Sequence, residues 1–298
     1  MPRQIDVDDY GSCTVEECTA ALNASGFDPS SEDSLLHAAG WLRRLGNNRD
    51  FLGDMLVDQL KARHRDAGEA SAYGPQVVML SPAKGSFFLR ANIWPSRAER
   101  SFQASGGASF VYELPHDHNF DFLTVGYFGP GYWSDYWEFD YDALDGWRGE
   151  PAGLRFVERS RLMEGKLLHY RAHRDVHSQL PPDGLSVSLN VMHAAMAQGW
   201  LDQYRFDTEA GTVAGILNEG ASEAFLRIAV GLGSDEALGL VEHFACSHPS
   251  DRMRFAAWDA QAGALGDAAA RDEVWRRAEL SGSRMVAMEA KARRAKVA

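Results

Sequence analysis

The sequence predicts a mainly β fold, a sandwich or barrel, flanked on both sides by α-helical regions. Between about Gln76 and Phe206, short runs rich in Val, Phe, Tyr, Leu and Trp alternate with clusters of Gly, Pro, Asp and Ser. On either side of this block the apolar residues change to the three- and four-residue spacing of amphipathic helices. A chain of 298 residues buries a sizeable core without staples.

Helical spacing first runs from about Ser30 to Arg65. Ser30 followed by Asp33 resembles a capping box, and Leu35, Leu36, Ala39, Leu42 and Leu45 form one stripe. Gly46-Asn47-Asn48 breaks it, and Phe51, Leu52, Met55, Leu56, Gln59 and Leu60 continue as a second helix. Eight strands are expected next: Gln76 to Leu80, Ser86 to Ile93, Ser109 to Leu114, Phe120 to Tyr127, Tyr136 to Asp140, Arg155 to Arg161, Lys166 to Arg171 and Ser186 to Met192. After Glu219 helical spacing returns through Ala224, Leu226, Ile228, Ala229 and Leu232, then Ala237, Leu238, Leu240, Val241 and Phe244. The stretch from His248 to Leu265, with Pro249, Asp251, Arg252, Arg254, Ala256, Ala257 and Trp258, resembles a HEAT-type repeat. The expected division is therefore 1–72 helical, 73–210 β-barrel and 211–298 helical and HEAT-like.

Thirty basic against 42 acidic side chains give a formal charge of -12, which opposes a nucleic-acid partner. Lys291, Arg293, Arg294 and Lys296 form one basic stretch, read as a solvated helix end. Three cysteines without CxxC spacing suggest neither a disulfide framework nor a zinc knuckle, so a reducing compartment is expected. The opening residues carry acid rather than an apolar stretch, and no apolar run approaches a membrane span. A soluble, cytoplasmic protein is the expectation, with no membrane partner.

The segment Pro115-His116-Asp117-His118-Asn119-Phe120 carries the chemistry. Histidines at i and i+2 on a strand project to one face and can share a metal ion. A third neutral imidazole would complete a facial set with open positions. His169, His173 and His177 are available, and their spacing of four does not choose among them. His177 is favoured because it precedes the turn Gln179-Leu180-Pro181-Pro182-Asp183-Gly184, so a hairpin with the next strand would carry it into the barrel. Asp117 and Asn119 should face away, toward the surface or a turn. The segment Gly126 to Trp137 brings Tyr127, Tyr132, Trp133, Tyr136 and Trp137 together, either as pocket walls or as cross-strand packing. No GxSxG, GxxxxGK[ST] or HExxH signature is present.

From about Phe88 to Met192 these motifs resemble the cupins, and among them the cysteine dioxygenase-like group with three histidine ligands. His116-Asp117-His118, a following Gly126 or Gly129, and His177 with Asn190 on the next strand carry the likeness. The resemblance implies a double-stranded β-helix (jelly-roll) barrel and mononuclear, non-haem Fe(II), other first-row divalent metals being possible. It also implies His116, His118 and His177 as metal ligands, with Arg90 holding a substrate carboxylate through its bidentate fork. The chain departs from the common cupin pattern in placing Phe122 where a ligand glutamate stands; Asp121 would need a bulge to reach the metal. It lacks the Ser-His-Tyr relay of thiol dioxygenases, since Asn190 and Met192 follow Ser188. The implied activity is an Fe(II)-dependent oxygenase of dioxygenase type, whose partners are dioxygen and a small carboxylate-bearing substrate. Two readings compete with it: a non-catalytic cupin binding protein working through its helical flanks, and a Zn or Mn isomerase or lyase. Homodimers are a family expectation, and Asn190 is an expected second partner of a ligand ring.

Overall fold

The computed structural model describes residues 1–63, 76–82 and 85–296. The expected helix end at Arg65 and the division at 72/73 lie outside these residues. Contacts within the chain separate two compact units, Met1–Phe139 with Leu154–Gln198, and Asp140–Gly153 with Gly199–Ala298.

The first unit begins with three helices. Helix α1, Val15–Ser25, is opened by a capping box in which the Thr14 hydroxyl accepts from the Glu17 amide and the Glu17 carboxylate accepts from the Thr14 amide. The sequence reading did not include α1, whose apolar stripe is short. Helix α2, Glu32–Asn47, is capped by Ser31 rather than Ser30, and buries Leu35, Ala38, Ala39, Leu42 and Leu45. Helix α3 spans Phe51–Arg63, and the short α4, Arg100–Ser105, comes later in this unit.

Two antiparallel sheets follow. The larger has the order β1 (Arg3–Gln4), β7 (Leu167–Tyr170), β4 (Phe122–Phe128), β9 (Ser186–His193), β3 (Phe87–Trp94) and β2 (Val77–Met79). The smaller has β6 (Arg155–Leu162), β5 (Tyr132–Glu138) and β8 (Asp175–Leu180). Period-two alternation gives the larger sheet two faces. Leu89, Ala91, Leu123, Val125, Leu189 and Val191 pack against the α1 and α2 stripes. Trp94, Phe122, Leu168, Tyr170 and Met192 face inward and pack with Tyr132, Tyr136 and Leu162 of the smaller sheet. The candidate residues Arg90 and His177 lie on these inner faces.

Several expectations are corrected. Residues 109–114 form no strand: a 3-10 turn at Gly107–Phe110 leads into left-handed backbone at Val111 and Glu113, which takes the chain out of any ladder. Strand β5 starts at Tyr132 rather than Tyr136, so Gly126 to Trp137 is the end of one strand, a turn and the next strand. Its aromatics divide by alternation: Tyr132 and Tyr136 point inward, while Trp133 is exposed. His177 does not enter through a hairpin with β9. It lies on β8, which pairs with β5, whereas β9 belongs to the other sheet, so the turn at 181–185 carries the chain from one sheet to the other.

Gly126 is one of the closest backbone approaches in this unit. A Cβ there would lie 2.1 Å from the Met163 carbonyl oxygen, where the register of β4 against β9 shifts. Gly126→Ala is expected to destabilise the fold by about 3 kcal/mol, because backbone rather than a flexible side chain must yield. A lowered urea midpoint would report it, and an unchanged midpoint would refute the close-approach argument.

The second unit contains the hairpin β10 (Tyr204–Asp207) and β11 (Thr212–Ile216), followed by α5 (Ala221–Gly231), α6 (Asp235–Ser247), α7 (Asp251–Gly263), α8 (Ala268–Glu279) and α9 (Arg284–Ala295). Arg252 is buried at the start of α7. It pairs with Asp202 at 2.9 Å and Glu223 at 2.6 Å and donates to the Gly199 carbonyl at 2.9 Å, tying the hairpin's approach to two helices. In the basic stretch, Arg293 pairs with Asp259, and Arg294 with Asp272 and Glu279. Helix outweighs strand among the described residues, so the fold is mixed rather than mainly β. No described helix is long and apolar enough to cross a membrane.

Candidate metal centre

The chain reaches the centre through the left-handed residues Val111 and Glu113, whose turn brings the Glu113 amide to the Gln179 carbonyl at 2.9 Å. The backbone then runs antiparallel to β8. The His116 amide donates to the His177 carbonyl at 3.0 Å and the His177 amide returns the bond at 2.9 Å. This single bridge stands in for the full strand expected there. Extended backbone still places His116 and His118 on one side, facing His177. Ring centroids are 4.8 Å apart for His116 and His118, 4.6 Å for His116 and His177, and 5.0 Å for His118 and His177.

All three imidazoles are buried. Burial pushes the His116 pKa below the ordinary value, against a smaller upward pull from its bond to the Leu114 carbonyl. Burial drives His118 well below it, helped by His116, His177 and Arg90, and drives His177 well below it, helped by His116. The rings are therefore neutral at pH 7, the state in which imidazole binds metal. His116 Nδ1 lies 2.7 Å from the Leu114 carbonyl oxygen, which makes it the N–H and leaves the Nε2 lone pair available.

The residues fit a metal ion. One nitrogen from each ring lies within 4.8 Å of the others. His118 Nε2 and His177 Nε2 are 3.0 Å apart. That is about the separation of two nitrogens held at about 2.1 Å from one ion at a right angle. Among the described residues no carboxylate or thiol joins the cluster, and three imidazoles suit a first-row divalent ion.

Around the rings the inner faces combine aromatic walls with isolated polar groups. His118 packs against Phe120, Phe122 and Tyr170, and Tyr170 packs against His177. The Tyr136 and Tyr170 hydroxyls are 3.0 Å apart. Burial holds the Tyr170 pKa well above its usual value and pushes Tyr136 up to about 12. Arg90 lies half-buried on β3, in one cross-strand row with Asn190 and Thr124, and its charge helps lower the His118 pKa. Asn92 Oδ1, Thr124 Oγ1 and Gln179 Oε1 are buried on the same inner faces with no hydrogen-bond partner among the described residues.

The other sequence candidates lie elsewhere. His169 is on the outer face of β7, with Nε2 2.9 Å from Asp121 Oδ1, so that pair belongs to the helix side of the sheet. His173 sits at a left-handed turn between β7 and β8, with Nδ1 3.9 Å from Asp117 Oδ2. Asp117 and Asn119 are buried rather than at the surface, and Asn119 donates to the Gln198 carbonyl at 2.6 Å. Asn190 donates to the Arg90 carbonyl at 3.4 Å instead of to a ligand ring. Sequence reasoning missed Tyr170, Thr124, Asn92 and Gln179. Two of them stand at i+2 from a predicted site residue, Asn92 from Arg90 and Gln179 from His177, so the same alternation rule would have found them.

No protein-family model and no curated protein matches the chain. Among solved structures the DMSP lyase DddQ from Ruegeria pomeroyi DSS-3 is similar at 9% identity, over 66% of this chain and 78% of that chain, with a TM-score of 0.25. Fe(II) HppE is similar at 11% identity, over 60% of this chain and 96% of that chain, with a TM-score of 0.22. HppE with the alternative substrate (S)-1-HPP has 11% identity, over 59% and 95%, and a TM-score of 0.19. At this level of superposition these similarities define no family for the chain.

Proposed function

We propose that the first unit is a mononuclear metal enzyme of the Fe(II)-dependent oxygenase type, acting on a small carboxylate-bearing substrate within a cupin-type barrel. The observation that carries this reading is the buried trio of neutral imidazoles, His116, His118 and His177, with their ligand atoms within 4.8 Å of one another. Bound iron(II) supplies the Lewis acidity and one-electron chemistry that dioxygen reactions need. Arg90, in the row beside the centre, orients the carboxylate. Phe120, Phe122 and Tyr170 keep bulk water from the rings. Asn92 and Thr124 offer the substrate hydrogen-bonding groups that the protein itself leaves unmet.

The test is oxygen uptake by protein reconstituted with Fe(II) under anaerobic conditions, screened against small carboxylates. Uptake that disappears in His177→Ala supports the reading. In Arg90→Ala a fall in kcat/KM of about 10- to 100-fold is expected, the size of one lost charge-assisted pair. Iron-bearing protein that consumes no oxygen with any carboxylate overturns it.

The Tyr136 and Tyr170 hydroxyl pair favours a second reading, a Zn- or Mn-dependent lyase or isomerase. Both phenols stay protonated at neutral pH and sit beside the rings as proton donors. Product formed from the same carboxylates without oxygen would select this reading.

A further inference from the structure

We propose that Gln179 is the fourth protein group of the centre, presenting its side-chain amide oxygen to the ion held by the three histidines. This rests on the proposed metal centre and goes beyond the histidine set. Gln179 follows His177 by two residues on β8, so both side chains leave the strand on one face. Its Nε2 lies 3.3 Å from His177 Nε2, the same nitrogen that faces His118 Nε2 at 3.0 Å.

In that orientation the amide is poorly satisfied. An N–H donates into the lone pair that a metal would use, while Oε1 is buried without a partner among the described residues. The two ends of a carboxamide exchange by a half-turn about its last bond. Turned over, the oxygen faces the point toward which the ring nitrogens converge, and a cation relieves an acceptor that otherwise carries the cost of an unmet buried carbonyl.

The backbone holds the side chain in place. The Gln179 carbonyl accepts from the Glu113 amide at 2.9 Å, and Gln179 pairs with Ser134 on β5 on its other side. The nearby acids are directed elsewhere: Asp121 meets His169, and Asp117 approaches His173. A neutral amide leaves the ion's full charge in place. With Arg90 beside it, the centre then favours an anionic substrate over a neutral one.

Co(II) serves as the probe, since its visible absorption reports coordination independently of turnover. In Gln179→Ala the Co(II) affinity should fall about 10-fold and the band intensity should change, the lower end of the range for groups that support a metal site. Gln179→Glu, nearly isosteric, should instead tighten binding and shift the band. Wild-type affinity and an unaltered band in Gln179→Ala would overturn the proposal. Should the alanine variant fail to fold, the same null result in Gln179→Glu overturns it equally. Wild type that binds no Co(II) sinks both this inference and the metal centre, whereas wild type that binds while both variants match it sinks Gln179 alone.

Discussion

Wild-type protein should take up near-stoichiometric iron under anaerobic conditions, and His177→Ala and His116→Ala should each abolish that uptake. Each ring supplies one of only three nitrogens in the described cluster, so two ligands remain after either change. The loss must exceed the roughly 10- to 100-fold effect of removing a supporting residue that touches no metal. His169→Ala is the internal control. His169 belongs to the outer face of the larger sheet and meets Asp121, so its removal should leave the iron content unchanged. Elemental analysis of the four proteins decides the matter: iron retained in His177→Ala at the wild-type level would refute the centre, as would iron lost equally from His169→Ala.

The metal-free protein should lose stability steeply as pH falls below about 6.5. His116, His118 and His177 all titrate lower in the folded chain than in the unfolded one, chiefly through burial. Below the ordinary histidine value of about 6.5 the unfolded state therefore binds more protons than the folded state, and stability falls with pH. Each such group contributes a slope of about 1.4 kcal/mol per pH unit until its own folded pKa is reached. The carboxylates lowered by ion pairs act later. Glu138 is lowered to about 2, first by its bond from the Met1 ammonium and then by Arg171, so its stabilising effect is lost only as pH drops from about 4.5 toward 2. Urea midpoints between about pH 7 and pH 5 thus isolate the histidines. Added metal should raise the midpoint at pH 7 and lose that effect on acidification, because protons compete for the same lone pairs. A midpoint flat over this range would contradict the burial of the three rings.

Much of the architecture was legible because it depends on local periodicity. The stripe Leu35, Leu42, Leu45 located α2, and the β-prone runs between turn clusters, Ser86 to Ile93, Phe120 to Tyr127 and Ser186 to Met192, located three adjacent strands of the larger sheet. Helix α1, β8 and the hairpin β10–β11 were not foreseen. Each is short, and β8 is buried along nearly its whole length, so it shows no clear apolar-polar alternation. The turn at 107–114 was mistaken for a strand, since left-handed backbone at Val111 and Glu113 is imposed by surroundings rather than by residue type.

In the centre itself, adjacency along the chain was enough for His116 and His118, because residues two apart in extended backbone share a face whatever else the protein does. The third ring was a different problem. His169, His173 and His177 share a face only if one regular element carries all three, and the chain instead places them on β7, a left-handed turn and β8. Pairing of β8 with β5, and of residue 116 with 177, selects His177 and brings Gln179 and Tyr136 with it. Those pairings join residues about 40 to 60 positions apart, and hydrogen bonds and burial over such separations leave no periodic trace in the sequence.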